Sequence, residues 1–524
     1  MKYLIFWLAL CLTACADADS ANSRRDTDYP IAASVQAHQE AKSIAWFEGN
    51  LDEAFRLAKQ ENKPVFLYWG AVWCPPCQEI KQTVFKSRRF ISLSDSFVPF
   101  YLDGDTARAQ TAGEKFGVKG YPTMIIFNAD GQEITRIPGG IDISRYNDIL
   151  ATSLNSIIPT ATLVDMINSG RLKLSESDFQ QLAYYSWSQD RDALPHDYTP
   201  ALFLKMSNAS QEPMASARLY MQYLSEVASA TVAASESPIA LGALQRVTDI
   251  LEDDDLTLAC WDYFAYQTKD LMPVIVDPDV NAESSKVLSN LWQSKMMALS
   301  DSTVLSTAEQ LAGFLPAIHY YYAEDEAREI SPKFKQQILY ATQQANRMTR
   351  NSFARQSVVS QINYVLQSAH LISDAKTLLL EELEKSKAPY YFMSSLSSIA
   401  EKDGDDDTAL EWQRKAYAAS EGAATRFQWG ANYVRGLVRL TPDNQALIIK
   451  TAFTLVSEID SGEEAYSGRN FSVLRAMTKS LNQWSEENGL EDDDVLRAYT
   501  ELIESGCKAQ AEASTAFKNC TSLI

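Results

Sequence analysis

Two cysteines, Cys74 and Cys77, stand three positions apart in the run Trp73-Cys74-Pro75-Pro76-Cys77. Before them, Pro64-Val65-Phe66-Leu67-Tyr68-Trp69 is apolar and aromatic and reads as a buried strand. After them, Gln78 to Phe85 carries apolar residues at helical spacing. A Cys-x-x-Cys between a strand and a helix puts its first sulfur at the helix N-terminus. There the free amides and the positive end of the helix dipole favour a thiolate. Thiolates attack disulfides, so the pattern points to thiol–disulfide exchange through Cys74 and Cys77. Two other uses of such a pair fit less well. Zinc needs two further ligands, and no second cysteine pair or His-x-His cluster lies nearby. A purely structural disulfide over so short a loop would remove little chain entropy. Neither a metal nor a cofactor is expected.

With Trp73 in place, the stretch resembles the thioredoxin family. Trp69 falls where that family carries a tryptophan beside its active site, and Gly120-Tyr121-Pro122-Thr123 resembles its cis-proline loop. Thr123 to Phe127 and Glu133 to Ile137, joined by Asn128-Ala129-Asp130-Gly131, resemble the closing hairpin, with a Gly139-Gly140 turn after it. Trp46-Phe47-Glu48-Gly49, the amphipathic Leu51 to Gln60, Asn62-Lys63-Pro64 and Phe97 to Asp103 resemble the branch that contains the C-terminal periplasmic domain of DsbD. The match covers about Ala45 to Leu154.

The resemblance implies an α/β thioredoxin-like domain, a central mixed sheet flanked by helices. It implies Cys74 as the attacking sulfur and Cys77 as the resolving one, with Trp73, Tyr121 and Pro122 binding substrate. Protein disulfide or dithiol clients and an envelope electron donor would be the partners. Two departures bear on mechanism. The family's buried acid is replaced by Tyr68, and its partner lysine aligns near Pro99, so Cys77 is expected to be activated differently. Between the cysteines, oxidases of this fold carry a histidine that stabilises the thiolate, whereas Pro75 and Pro76 have no amide hydrogen at all. This predicts a less depressed Cys74 pKa and a more reducing couple, hence a reductase. An oxidase or isomerase using the same residues stays open. So does a helical binding protein whose pair is not catalytic.

The chain has 524 residues, 46% of them hydrophobic, which suits two or three packed domains. Its formal charge of −21 argues against nucleic acid and against docking on anionic lipid. Residues 1–14 read as a lipoprotein-type signal peptide: Lys2 is the positive end, and Tyr3 to Leu12 an apolar core too short to span a bilayer. Leu12-Thr13-Ala14-Cys15 resembles a lipobox, which implies lipidation of Cys15 and membrane association through that N-terminal lipid anchor. The protein would then face the periplasm, and Ala16 after the cysteine favours the outer membrane. Ordinary cleavage after Ala14 or Ala16 is the alternative.

Residues 15–42 read as a polar tether, 43–155 as the thioredoxin-like domain and 160–524 as a large all-α region with room for two subdomains. In that region Tyr390 to Ala400 with Ala409 to Tyr417 resembles a tetratricopeptide repeat; a helical-repeat array and an irregular helical domain both remain open. The acidic triplets at 253–255, 405–407 and 492–494 lack a calcium loop's glycine and terminal glutamate and read as helix starts or turns. In an oxidising periplasm Cys507 and Cys520 are expected to form a structural disulfide, worth about 3 kcal/mol in the chain-entropy model, with a second redox centre as the alternative. Cys260, amid Leu256 to Trp261, reads as a buried thiol.

Overall fold

A reciprocal cap starts the first helix. Asn50 accepts the Glu53 N–H at 2.9 Å while the Glu53 carboxylate takes the Asn50 N–H at 3.0 Å. Helix α1 (Leu51–Glu61) ends at Asn62 in the left-handed conformation, φ 52°. There follow β1 (Val65–Gly70), α2 (Pro75–Gln82), α3 (Arg88–Leu93), β2 (Val98–Asp103), α4 (Ala107–Lys115), β3 (Thr123–Phe127), β4 (Glu133–Ile137) and α5 (Ile143–Asn155). The strands lie in the order β2-β1-β3-β4, with β1 parallel to β2 and antiparallel to β3, and β3 antiparallel to β4. Alternation along β1 sends Val65, Leu67 and Trp69 into a core with α1 and α4, and Phe66 and Tyr68 to the opposite face against Phe85, Phe90 and Tyr146. This is the mixed sheet flanked by helices that the sequence implied. The computed structural model describes residues 43–137, 143–155, 158–171, 173–232, 242–276, 281–323, 325, 327–459, 462–490 and 494–524. The expected signal peptide, Cys15, the tether and the Gly139-Gly140 turn lie outside the described residues.

Beyond the sheet the chain is helical, yet the second core of the sheet does not stop there. Helices α6 (Thr160–Asn168), α7 (Glu176–Ala183), α8 (Ala201–Ala209) and α9 (Pro213–Val232) feed Leu163, Ile167, Phe179, Phe203 and Leu219 into the core that holds Phe66 and Tyr68. They also close the sheet's edge. Thr160 Oγ1 and Gln181 Nε2 each donate to the Ile134 carbonyl at 3.0 Å, and the Ser186 N–H to that of Arg136 at 3.0 Å. The boundary expected between 155 and 160 therefore separates secondary-structure classes but not cores, and residues 42–524 form one compact unit.

A large core is built with α9 by α10 (Ala243–Glu252), α11 (Asp254–Ala259), α12 (Trp261–Tyr266), α13 (Thr268–Ile275), α14 (Ala282–Leu299), α15 (Thr307–Ala312), α16 (Leu315–Ala323), α17 (Pro332–Met348), α18 (Ser352–Ser368), α19 (Ile372–Leu383) and α20 (Pro389–Lys402). Cys260 is fully buried in it. Periodicity predicts one helix over 307–322, but the structure breaks it at Gly313. A Cβ there would lie 2.8 Å from the Ser300 Cβ and 3.0 Å from the Met296 carbonyl, so the chain turns where it crosses α14.

The last helices have a core of their own: α21 (Asp406–Ala419), α22 (Ala423–Leu440), α23 (Gln445–Ser457), α24 (Gly468–Asn488), α25 (Asp494–Lys508) and α26 (Thr515–Thr521) gather around Leu437, Leu455, Leu474 and Trp484. A disulfide joins Cys507 to Cys520 there. Asp253 and Asp405 cap α11 and α21 by accepting the Leu256 and Thr408 N–H groups. Among the described residues no helix is long and apolar enough to cross a membrane.

Candidate redox site

Cys74 caps α2. Its sulfur accepts the Cys77 N–H at 3.2 Å, and its carbonyl receives the Gln78 N–H at 3.1 Å. Pro75 and Pro76 occupy the first two helical positions, so Cys77 supplies the one amide that reaches the sulfur. The two cysteines are joined as a disulfide. The loop before them is held by Gln78, whose amide donates to the Val72 carbonyl at 2.7 Å. Facing it, the Tyr121–Pro122 peptide is cis. Thr123 Oγ1 donates to the Gly120 carbonyl at 2.7 Å and Gln189 Nε2 to that of Pro122 at 3.2 Å, which fixes this second loop. The rings of Trp73 and Tyr121 meet edge to face at 6.2 Å and so link the two loops.

Beside Cys77, at the position where the resembled family carries an acid, stands Tyr68. Tyr68 Oη donates to the Cys77 carbonyl at 3.4 Å and its ring stacks on Tyr101 at 5.4 Å. Lys81, one helical turn beyond Cys77, donates to Tyr101 Oη at 3.2 Å. Burial raises the Tyr68 hydroxyl pKa well above its usual value, with Tyr101 adding to it, while burial lowers that of Lys81 against an opposing effect of Asp103. Trp69 belongs elsewhere: it sits in the core under α1 and α4, and its indole donates to the Ala109 carbonyl. Glu79 likewise points away from the sulfurs and accepts from Ser357 Oγ at 2.7 Å.

The pair does not lie on an open surface. Cys74 is 2% exposed, Cys77 0% and Trp73 8%. What covers them comes from 280 to nearly 400 residues further along the chain. Ala388 and Tyr390 at the start of α20, Ala416 of α21 and Trp429 of α22 pack in one cluster with Ala71, Trp73 and both cysteines. Tyr391 stacks on Trp73 at 6.5 Å, and Gln356 Nε2 of α18 donates to the Trp73 carbonyl at 3.3 Å. From α24, the Arg469 guanidinium lies 4.4 Å from the centre of the Trp73 ring and 5.1 Å from that of Tyr121. Sequence reasoning missed all of these residues. Tyr390, Tyr391 and Ala416 lie in the stretch that resembles a tetratricopeptide repeat, which gives no sign of the cysteine pair, and Trp429 and Arg469 each fit an ordinary helix face.

The covering helices are tied to the thioredoxin-like part by caps supplied in trans. Asp105, just after β2, accepts the Thr425 N–H in the first turn of α22 at 2.7 Å. Gln110 Oε1 accepts the Asn470 N–H at 3.1 Å, and Glu114 accepts the Gly468 N–H at 2.8 Å, both at the start of α24. Burial raises the Asp105 pKa, while the bond from Thr425 works against that rise. Burial lowers the Arg469 pKa, opposed by Tyr121 and Asp105.

Sheet order, the Cys-x-x-Cys at the head of α2 and the cis-proline loop opposite it together define a thioredoxin-like redox domain. Residues 51–153 match the thioredoxin-like domain family, and a large helical region follows. Within that domain the chain is similar to the thiol:disulfide interchange protein DsbD of Photorhabdus laumondii, 29% identical over 98 residues, 18% of this chain and 17% of the relative. DsbD of Cronobacter sakazakii is 34% identical over 121 residues, 22% of this chain and 20% of the relative. Nucleoredoxin of Bos taurus is 25% identical over 119 residues, 18% of this chain and 27% of the relative. The chain thus spans about a fifth or less of the DsbD proteins it matches. Among solved structures, a DsbH oxidoreductase aligns at 17% identity with a TM-score of 0.21, covering 24% of this chain and 94% of that one. The domain, its cysteine pair and the DsbD and nucleoredoxin relatives support thiol–disulfide oxidoreductase chemistry in general terms.

Proposed function

We propose that this protein is a thiol–disulfide oxidoreductase of the bacterial envelope that reduces protein disulfides. The observation that carries this reading is Cys74 capping α2 opposite the cis Tyr121–Pro122 peptide, with one amide donor at its sulfur. In the reduced protein the Cys74 thiolate attacks a client disulfide, forming a mixed disulfide and releasing one client thiolate. Cys77, deprotonated, then attacks the Cys74 sulfur; the second client thiolate leaves and the Cys74–Cys77 disulfide closes. Two electrons pass to the client, and an envelope dithiol donor returns them. Trp73 and the backbone at Tyr121 receive the client segment. The hydroxyl of Tyr68 stands where the family's acid would, and reaches the Cys77 carbonyl. The resemblance of Leu12 to Cys15 to a lipobox supports a lipid anchor on Cys15 and an outer-membrane, periplasm-facing location.

A Cys77→Ser variant is expected to accumulate clients disulfide-linked to Cys74; a gel free of such adducts counts against the reading. The reduction potential sets direction. A value near about −270 mV fits a reductase and one near about −120 mV an oxidase. The burial of both sulfurs favours a second reading, a helical binding protein whose pair stays oxidised. That reading expects Cys74→Ser/Cys77→Ser to leave the cellular phenotype unchanged.

A further inference from the structure

We infer that helices α21 to α26 form the movable part of the cover over the Cys74–Cys77 pair, a lid beside the fixed wall of α18 and α20. They must swing off the thioredoxin-like domain before any client reaches Cys74. The inference rests on the oxidoreductase reading and adds a regulation to it. Four observations carry it. First, these helices enclose a hydrophobic core of their own, closed by the Cys507–Cys520 disulfide. On one side α21 stays bonded to α20 through Ser397, which donates to the Ala409 carbonyl at 2.9 Å, so the group can pivot there without unpacking its core. Second, three of the bonds that join it to the thioredoxin-like domain are trans caps: Asp105 on α22, Gln110 and Glu114 on α24. Water can satisfy the same amides once the seam parts, so such bonds resist opening less than apolar burial does.

Third, the seam is incompletely packed. A solvent-open cleft of about 490 Å³ enters between Asp105, Ala107 and Gln110 on one side and Ala424, Phe427 and Asn470 on the other. Fourth, the indole N–H groups of Trp73 and Trp429 are buried at the covered pair with no acceptor among the described residues. Each would gain a hydrogen bond to water on opening. Trp73 and Tyr121, bridged in the closed form by Arg469, are the residues that opening frees for a client.

The test uses the full chain in its oxidised form. Reduction of Cys74–Cys77 by dithiothreitol is followed by alkylation and peptide mass, which separates this pair from Cys507–Cys520. Asp105→Ala combined with Glu114→Ala removes two caps and is expected to speed that reduction about tenfold. A folded double variant that reacts at the wild-type rate overturns the lid. The second measurement needs no variant: opening exposes surface, so the wild-type rate should climb with urea well below the unfolding midpoint. A rate flat in urea overturns the proposal equally. No client takes part, so failure of the reductase reading would leave both readouts intact.

Discussion

At the scale of single residues, the chemistry turns on what is missing beside Cys74. Two prolines remove two amide donors, leaving the Cys77 N–H. Placing a histidine between the cysteines, Pro76→His, restores a donor to the thiolate and is expected to make the couple more oxidising by about 30 to 60 mV, read by titration against a glutathione buffer. Tyr68→Phe removes the hydroxyl that reaches the Cys77 carbonyl and is expected to cost about 1 kcal/mol in urea denaturation. The two sulfurs and the cis proline were legible because each announces itself within four consecutive residues. Lys81 was not. Its helical position marks it only as a turn beyond Cys77, and its bond to Tyr101 depends on how β2 lies beside β1.

At the scale of elements, strands were read well because turn residues bracket them. Pro64 precedes β1, and Asn128 to Gly131 separates β3 from β4. Helix breaks were read less well. Leu311, Leu315 and Ile318 keep helical spacing across Gly313, so periodicity cannot register a turn imposed by the neighbouring α14. Glycine also sets the spacing of α22. A Cβ at Gly430 would come within 2.4 Å of Leu455 Cδ1 and 2.9 Å of Tyr417 Cε2, so Gly430→Ala is expected to cost about 1 to 3 kcal/mol by urea denaturation. On α16, burial first and Lys269 second push the His319 imidazole down to about 4. Its folded value lies below its unfolded one of about 6.5, so its contribution to stability is complete above that pH and drains away as pH falls toward 4. His319→Gln is expected to flatten the urea midpoint against pH in that window.

At the scale of the whole molecule, the covered site was the least legible feature. It joins β1, α2, α18, α20, α21, α22 and α24, and no spacing rule links Trp73 to Tyr391 or Arg469. The sequence boundary near 155 was a change in periodicity, and tertiary packing ran straight through it. The Cys507–Cys520 bond, at a separation of 13, closes a short loop in the last core. Cys507→Ala with Cys520→Ala is expected to cost about 3 kcal/mol in chemical denaturation while leaving the Cys74–Cys77 potential unchanged.

The contacts made by Thr160, Gln181 and Ser186 along β4 carry one more consequence. They occupy the outward carbonyls of Ile134 and Arg136, the acceptors on which another chain could add a strand. A fragment ending at Asn155 would keep every residue of the redox motif but bare that edge, together with the apolar face that α6 to α9 now cover. Its expected fate is self-association: light scattering should show it clumping at concentrations where the full chain stays dispersed. In this protein the helices that follow the sheet also serve as its guard against sticking to its own kind.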